Sequence, residues 1–128
     1  MIEVCAAFIK KDDKVLICKR PQGKNCASLW EFPGGKIEPG ETPKQCIVRE
    51  CMEELGIKIT AGKELADTVQ KYPEITVHLT LFYAEISDST PKDYEHSEIK
   101  WVYIKDLYKY EFCPADRKLL KIIDLDSL

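Results

Sequence analysis

Three glutamates, Glu50, Glu53 and Glu54, fall within the stretch GGKIEPGETPKQCIVRECMEELGI, residues 34 to 57. Their spacings of three and four place the carboxylates on one side of a helix. Like charges at such spacings destabilise an isolated helix by roughly 0.2–0.5 kcal/mol per pair. Something should offset that repulsion, and a hard divalent cation does so. Magnesium takes oxygen ligands, draws only a few from protein, and fills its other positions with water or phosphate. Gly34 and Gly35, just upstream, let the backbone turn tightly and bring a main-chain carbonyl to the same ligand set. Arg49, one turn before Glu53, is placed to neutralise part of the cluster and orient it. Taken alone, three glutamates also fit a solvated acidic helix face.

The elements that position these groups are legible. Thr42 is a candidate N-cap, Pro43 suits the first helical position, and Gln45 completes a T-x-x-Q capping box. Gly56 follows the helix as its C-terminal stop. Between them Ile47, Cys51 and Leu55 form an apolar stripe, with the glutamates to one side. Upstream, EVCAAFIK and KVLICKR are separated by KDD and predict a hairpin. PQGKNCAS is a polar loop, and LWEFPGG a short extended piece ending at the double glycine. Downstream, IKITAGKELADTVQKYP, EITVHLTLFYAEIS and EIKWVYI predict strands. PADRKLLKII predicts a terminal helix with Pro114 at its start. Mixed strands with two helices apart in sequence imply an α/β fold, a sheet covered on both faces.

Length and composition narrow the classes. The 128 residues fit one domain, 1–128, with 45% hydrophobic and 32% charged residues. A net charge of −3 without a lysine or arginine run argues against a nucleic-acid polymer as partner. Six cysteines with no CxxC pair and only two histidines argue against zinc and disulfide readings, leaving free thiols. The N-terminus lacks a basic flank before a sustained apolar run, and no stretch reaches membrane-spanning length. The expectation is a reduced, cytoplasmic protein, either monomer or homodimer.

Gly35, Glu41, Arg49, Glu50, Glu53, Glu54 and Gly56 resemble the Nudix box, G-x5-E-x7-R-E-U-x-E-E-x-G-U, where U is a bulky aliphatic residue. All seven fixed positions match, and Ile57 satisfies the final U. Cys51 departs at the first U, in the buried stripe, where it touches packing more than metal chemistry. LWEFPGGKIEPGETPKQCIVRECMEELGI is similar to the MutT branch of Nudix hydrolases and to the related CTP pyrophosphohydrolases. The resemblance implies an α/β/α sandwich with a mixed central sheet, in which the box forms a loop–helix–loop. It also implies hydrolysis of a nucleoside triphosphate to monophosphate and pyrophosphate, with Mg²⁺, or Mn²⁺ in its place, as cofactor.

By the same resemblance Glu50, Glu53 and Glu54 are metal ligands, the Gly34 carbonyl is a further candidate, and Glu41 buttresses the loop. Glu95, in DYEHSEIKWV, stands where MutT-like enzymes place an additional catalytic carboxylate; either Glu95 or Glu50 takes the proton. Arg20 resembles a phosphate-contacting arginine, able to grip phosphate oxygens in a bidentate manner. Lys36, beside the glycine loop, can neutralise phosphate charge. In CPADRKLL a MutT-like purine reader has asparagine where this chain has Asp116. An ionised aspartate only accepts hydrogen bonds, which suits the exocyclic amine of cytosine or a 5-substituted cytosine rather than the oxidised guanine of 8-oxo-dGTP. Phe32 and Tyr72 are candidates for stacking on the base. Other readings are a non-catalytic nucleotide-binding module and the same chemistry with a different group X on the diphosphate.

Overall fold

Residues 5–9 and 15–18 are buried without a break, so the first two strands are covered on both faces. The structure is a computed structural model that describes residues 1–128. Strands β1 (Ile2–Lys11) and β2 (Lys14–Lys19) form the expected hairpin, but they pair only near its tip, at Lys10↔Val15 and Lys11↔Lys14. Beyond that they splay. The segment from Trp30 to Lys36 fills the fork, with β3 (Trp30–Glu31) on β2 and β4 (Gly34–Lys36) on β1. Between them the Pro33 carbonyl accepts the Ala7 N–H at 2.8 Å. This wedge sets Glu31, Gly34 and Gly35 at the centre of the sheet.

The sheet is mixed. β6 (Thr76–Ile86) runs parallel to β1, while β5 (Ile59–Lys71) is antiparallel to β6 and β7 (Glu98–Tyr103) antiparallel to β2. Alternation along β1 divides the core into two layers. Cys5, Ala7 and Ile9 pack with Ile47, Cys51 and Leu55 of helix α1 (Pro43–Leu55). Ala6 and Phe8 pack on the other side with Phe32, Phe112 and Leu119, the last from helix α2 (Pro114–Ile122). The result is the α/β/α sandwich.

Helix α1 starts and stops as its sequence dictates. Thr42 accepts the Gln45 N–H at 3.1 Å, Gln45 accepts the Thr42 N–H at 2.9 Å, and Gly56 closes the helix at φ 65°. The glycine pair behaves differently from expectation. Gly34 and Gly35 are paired strand residues, and the left-handed turn lies at Gly40, φ 78°. What requires glycine is close approach. A β-carbon on Gly34 would run into the Cys5 carbonyl and Ala6 Cα, and one on Gly35 into the Glu50 carboxyl. A 3₁₀ segment, Ile104–Lys109, also intervenes between β7 and α2; six residues are too few to show a period. All six cysteines are free thiols, and five are buried. No helix is long and apolar enough to cross a membrane.

Candidate active site

The three glutamates of α1 are not equivalent. Arg49 ties most of the ridge together. Its Nε donates to Glu41 Oε2 at 2.7 Å, Nη1 to Glu50 Oε1 at 2.6 Å and Glu53 Oε1 at 3.2 Å, and Nη2 to the Lys36 carbonyl at 3.0 Å. Glu41 also accepts the Glu38 N–H at 3.0 Å, and these bonds, Arg49's first, hold its carboxyl down at about 2. Glu41 is therefore a buttress that fixes the loop to the helix. Glu53 remains 55% exposed on the outer side. Glu54 points inward with 8% of its side chain exposed, and its Oε2 has no hydrogen-bond partner. Burial, followed by the nearby Glu50, pushes the Glu54 carboxyl far above the usual range.

Glu54 lies in a cleft of about 930 Å³. A chain of polar contacts leads away from it. Glu54 Oε1 is 3.5 Å from His96 Nε2, which is 2.9 Å from Glu31 Oε2. Glu31 in turn holds Arg20 Nη1 at 3.3 Å from both its oxygens, while Arg20 Nε donates to the Asn25 carbonyl at 2.6 Å. The next residue, Phe32, donates its N–H to Asp116 Oδ1 at 3.0 Å. One cleft thus holds a cluster of acidic side chains, an arginine and the buried Asp116 carboxyl. The donor set fits a hard divalent cation. Its oxygens come from Glu50, Glu54, Glu95 and the glycine strand, and the partnerless Glu54 Oε2 is a buried group for which such an ion would compensate.

Residues 4–122 match the family model described as NUDIX domain. The chain belongs to the Nudix family. It is 39% identical to a CTP pyrophosphohydrolase of Escherichia coli over 121 residues, which cover 94% of this chain and 90% of the relative. It is 33% identical to an 8-oxo-dGTP diphosphatase of Haemophilus influenzae over 122 residues, covering 94% and 89%. A crystal structure of a MutT protein from Methanosarcina mazei superposes with a TM-score of 0.85 at 27% identity, covering 98% of this chain and 94% of that one. The protein is a Nudix hydrolase of MutT-like type, a family of enzymes that act on pyrophosphate bonds in nucleotide substrates with a divalent metal.

Most of the residues picked out in the Nudix chain meet in this cleft. Gly34, Lys36, Glu50, Glu54 and Glu95 line it, as do Arg20, Phe32, Tyr72 and Asp116. Glu53 and Arg49 do not; they stand behind the ridge, where Arg49 bonds to Glu50 and Glu53 is tied to Arg49. Phe32 corrects an expectation. Its ring is 3% exposed and packs against Phe8 and Phe112, with centroids 5.5 and 5.4 Å away, so it serves as cleft floor and leaves no free face for a base. Tyr72 is half-buried at the turn between β5 and β6, and burial lifts its hydroxyl to about 12. Asp116 corrects another. Burial, then the charge of Glu31, pushes it up to about 8, so at neutral pH it is chiefly the acid and both donates and accepts.

Two cleft residues went unsignalled by sequence pattern, Glu31 and His96. Glu31 sits between inward-facing Trp30 and Phe32, and a charge between two buried aromatics was its only cue. His96 follows Glu95 in a loop, where nothing distinguishes an inward side chain from an outward one.

Proposed function

We propose that this Nudix hydrolase is a magnesium-dependent nucleoside triphosphate pyrophosphohydrolase that releases monophosphate and pyrophosphate. Cytosine nucleotides, including 5-substituted ones, are its preferred substrates. Residues 1–128 act as one domain in the cytoplasm. The observation that carries the reading is the shared cleft: the unpartnered, buried Glu54 oxygen and the buried Asp116 carboxyl line the same cavity, with Arg20 beside them.

Glu50, Glu54 and Glu95, with the Gly34 carbonyl, would hold Mg²⁺, or Mn²⁺ in its place, from within the cleft, and Glu53 would join them by turning in from the outer side of the ridge. The bound ion supplies charge withdrawal from the phosphates and a lowered pKa for the attacking water. Arg20 grips phosphate oxygens with its fork, and Lys36 adds a second positive charge at the strand end. Glu95 takes the proton from water. It faces the cleft without a paired cation, whereas Glu50 is engaged by Arg49 at 2.6 Å. Asp116, as the neutral acid, donates to cytosine N3 and accepts from the N4 amine. Tyr72 borders the base. Arg49 and Glu41 hold the ridge in place.

The cytosine preference is supported by the 39% identity to the CTP pyrophosphohydrolase, against 33% for the Haemophilus relative named for 8-oxo-dGTP. A second reading, 8-oxo-dGTP itself, is favoured by the several relatives of that name and by the fact that a neutral Asp116 also suits a purine edge. Comparing kcat/KM for CTP, dCTP, 5-methyl-dCTP and 8-oxo-dGTP, with products identified and EDTA as control, decides between them. Cytosine nucleotides should lead. A large preference for the oxidised guanine would overturn the assignment, and no pyrophosphate release from any triphosphate would overturn the reaction.

A further inference from the structure

His96 is buried, with 4% of its side chain exposed, yet only one of its ring nitrogens is engaged. Nε2 lies between Glu31 Oε2, at 2.9 Å, and Glu54 Oε1, at 3.5 Å. Nδ1 is buried without any partner. The loop that delivers the ring is pinned on either side of the gap it enters. The Lys92 N–H donates to the Leu55 carbonyl at the end of α1, and the Ser97 N–H to the Lys19 carbonyl at the end of β2. The Tyr94 ring lies so close over Gly56 that a β-carbon there would meet it.

By distance alone, Glu31, Glu54 and His96 look like three metal ligands, since one donor atom from each lies within 4.8 Å of the others. The unpartnered nitrogen argues against that. A ligating imidazole gives its bare nitrogen to the metal and its second N–H to a carboxylate, carbonyl or water. Ligation through Nε2 would put the hydrogen on Nδ1, a buried donor with no acceptor. With the hydrogen on Nε2, the ring donates to Glu31 with Glu54 Oε1 3.5 Å away, and Nδ1 is only an idle acceptor. The donor faces the pair, whose acidic side chains come within 4.8 Å of it and of one another. Glu31 passes the constraint on, because both its oxygens hold Arg20.

We propose that His96 is a positioning residue, not a metal ligand: its Nε2–H is donated to Glu31 with Glu54 close beside it, and so fixes Glu31 and Arg20 relative to the metal-facing Glu54. The consequence for turnover rests on the nucleotide reading of the cleft; the placement of the hydrogen does not.

The test uses the full chain. Imidazole ¹⁵N NMR of the metal-free protein, with His78→Gln to assign the two histidines, should show hydrogen on Nε2 and a bare Nδ1. Titration with Mg²⁺ should leave the hydrogen on Nε2. Hydrogen on Nδ1, or its loss from Nε2 when Mg²⁺ is added, would overturn the proposal. In kinetics, His96→Gln keeps an N–H donor and should stay near wild type. His96→Leu should lower kcat/KM about tenfold or more and raise KM as Arg20 slackens, the scale of a lost hydrogen bond to a charged group. Equal losses in both variants, or none in either, would also overturn it. A wild type without turnover would instead sink the nucleotide reading, and the NMR result would still decide the role of the ring.

Discussion

Gly35 and Glu50 share a gap that cannot admit one more carbon: a β-carbon on the glycine would occupy the position of the glutamate carboxyl. The strand and the helix meet there, and the absent side chain is what lets Glu50 face the cleft while bonded to Arg49. The obstructed group is the far end of a flexible side chain, so Gly35→Ala can fold by swinging Glu50 aside. Its Tm should stay within about 3 °C of wild type, while kcat falls about tenfold to a hundredfold, the scale of misplacing a catalytic group by about 1 Å. Gly34→Ala meets backbone instead, the Cys5 carbonyl and Ala6 Cα. It should lower Tm by at least about 5 °C. Thermal melts and turnover of the two variants check the contrast, and a Gly34→Ala protein as stable as Gly35→Ala would refute it.

Glu53→Gln and Glu54→Gln should each lower kcat at least about a hundredfold, the scale of a lost electrostatic stabiliser. Their stabilities should diverge. Glu54 is buried with an unpartnered oxygen, and burial forces its carboxyl to take up a proton on folding, a cost that a permanently neutral amide does not carry. Metal-free Glu54→Gln should melt about 2–5 °C above wild type. Glu53 is exposed, so Glu53→Gln should not gain. Scanning calorimetry in EDTA measures the difference.

That divergence was partly legible from the helix itself. At about 100° per residue, Glu54 falls beside the Cys51–Leu55 stripe and Glu53 about 100° further away. Spacing alone groups the three glutamates; their angle to the stripe separates them. Helix α1 could be read to its caps because its signals are local: a capping box, an N1 proline and a left-handed glycine. The hairpin and long strands were legible for the same reason. Glu31 was not, because a strand of two residues has no period to reveal its faces. Nor was His96, whose inward aim depends on bonds to Leu55 and Lys19, both distant in sequence. The protonation state of Asp116 depends wholly on burial in the folded state.

His78 joins three strands. Its Nδ1 is 2.6 Å from Glu3 on β1 and its Nε2 2.6 Å from Asp67 on β5. Both nitrogens can donate only in the imidazolium, and the bonds to Asp67 and then Glu3 raise its pKa. A histidine raised on folding adds stability that is complete below its unfolded value, about 6.5, and is lost as pH rises through the folded value. The Tm advantage of wild type over His78→Gln should therefore be largest near about pH 6 and shrink towards about pH 9. The site is partly exposed and screened, so the effect is modest. A constant advantage across that range would show that the charge contributes nothing.

Asp116 gives the sharpest pH test of the cytosine reading. Its folded value of about 8 lies far above the ordinary carboxylate value. Below about 8 the neutral acid offers a donor and an acceptor, matching cytosine N3 and the N4 amine. Above it the ion loses the donor and sets a negative charge against the N3 lone pair. Activity on CTP should therefore fall as pH climbs through about 8. Stability follows the same sign. A carboxyl whose value is raised on folding contributes stability below its unfolded value, about 3.9, and loses it as pH rises through the folded value. Asp116→Asn keeps one donor and one acceptor at every pH, so its kcat/KM for CTP should equal wild type near neutrality and lack the alkaline decline. Its Tm should gain on wild type between about pH 4 and pH 8 as the aspartate becomes costly to keep buried. If the decline survives in the asparagine variant, some other group titrates in the cleft and Asp116 does not read the base through its proton.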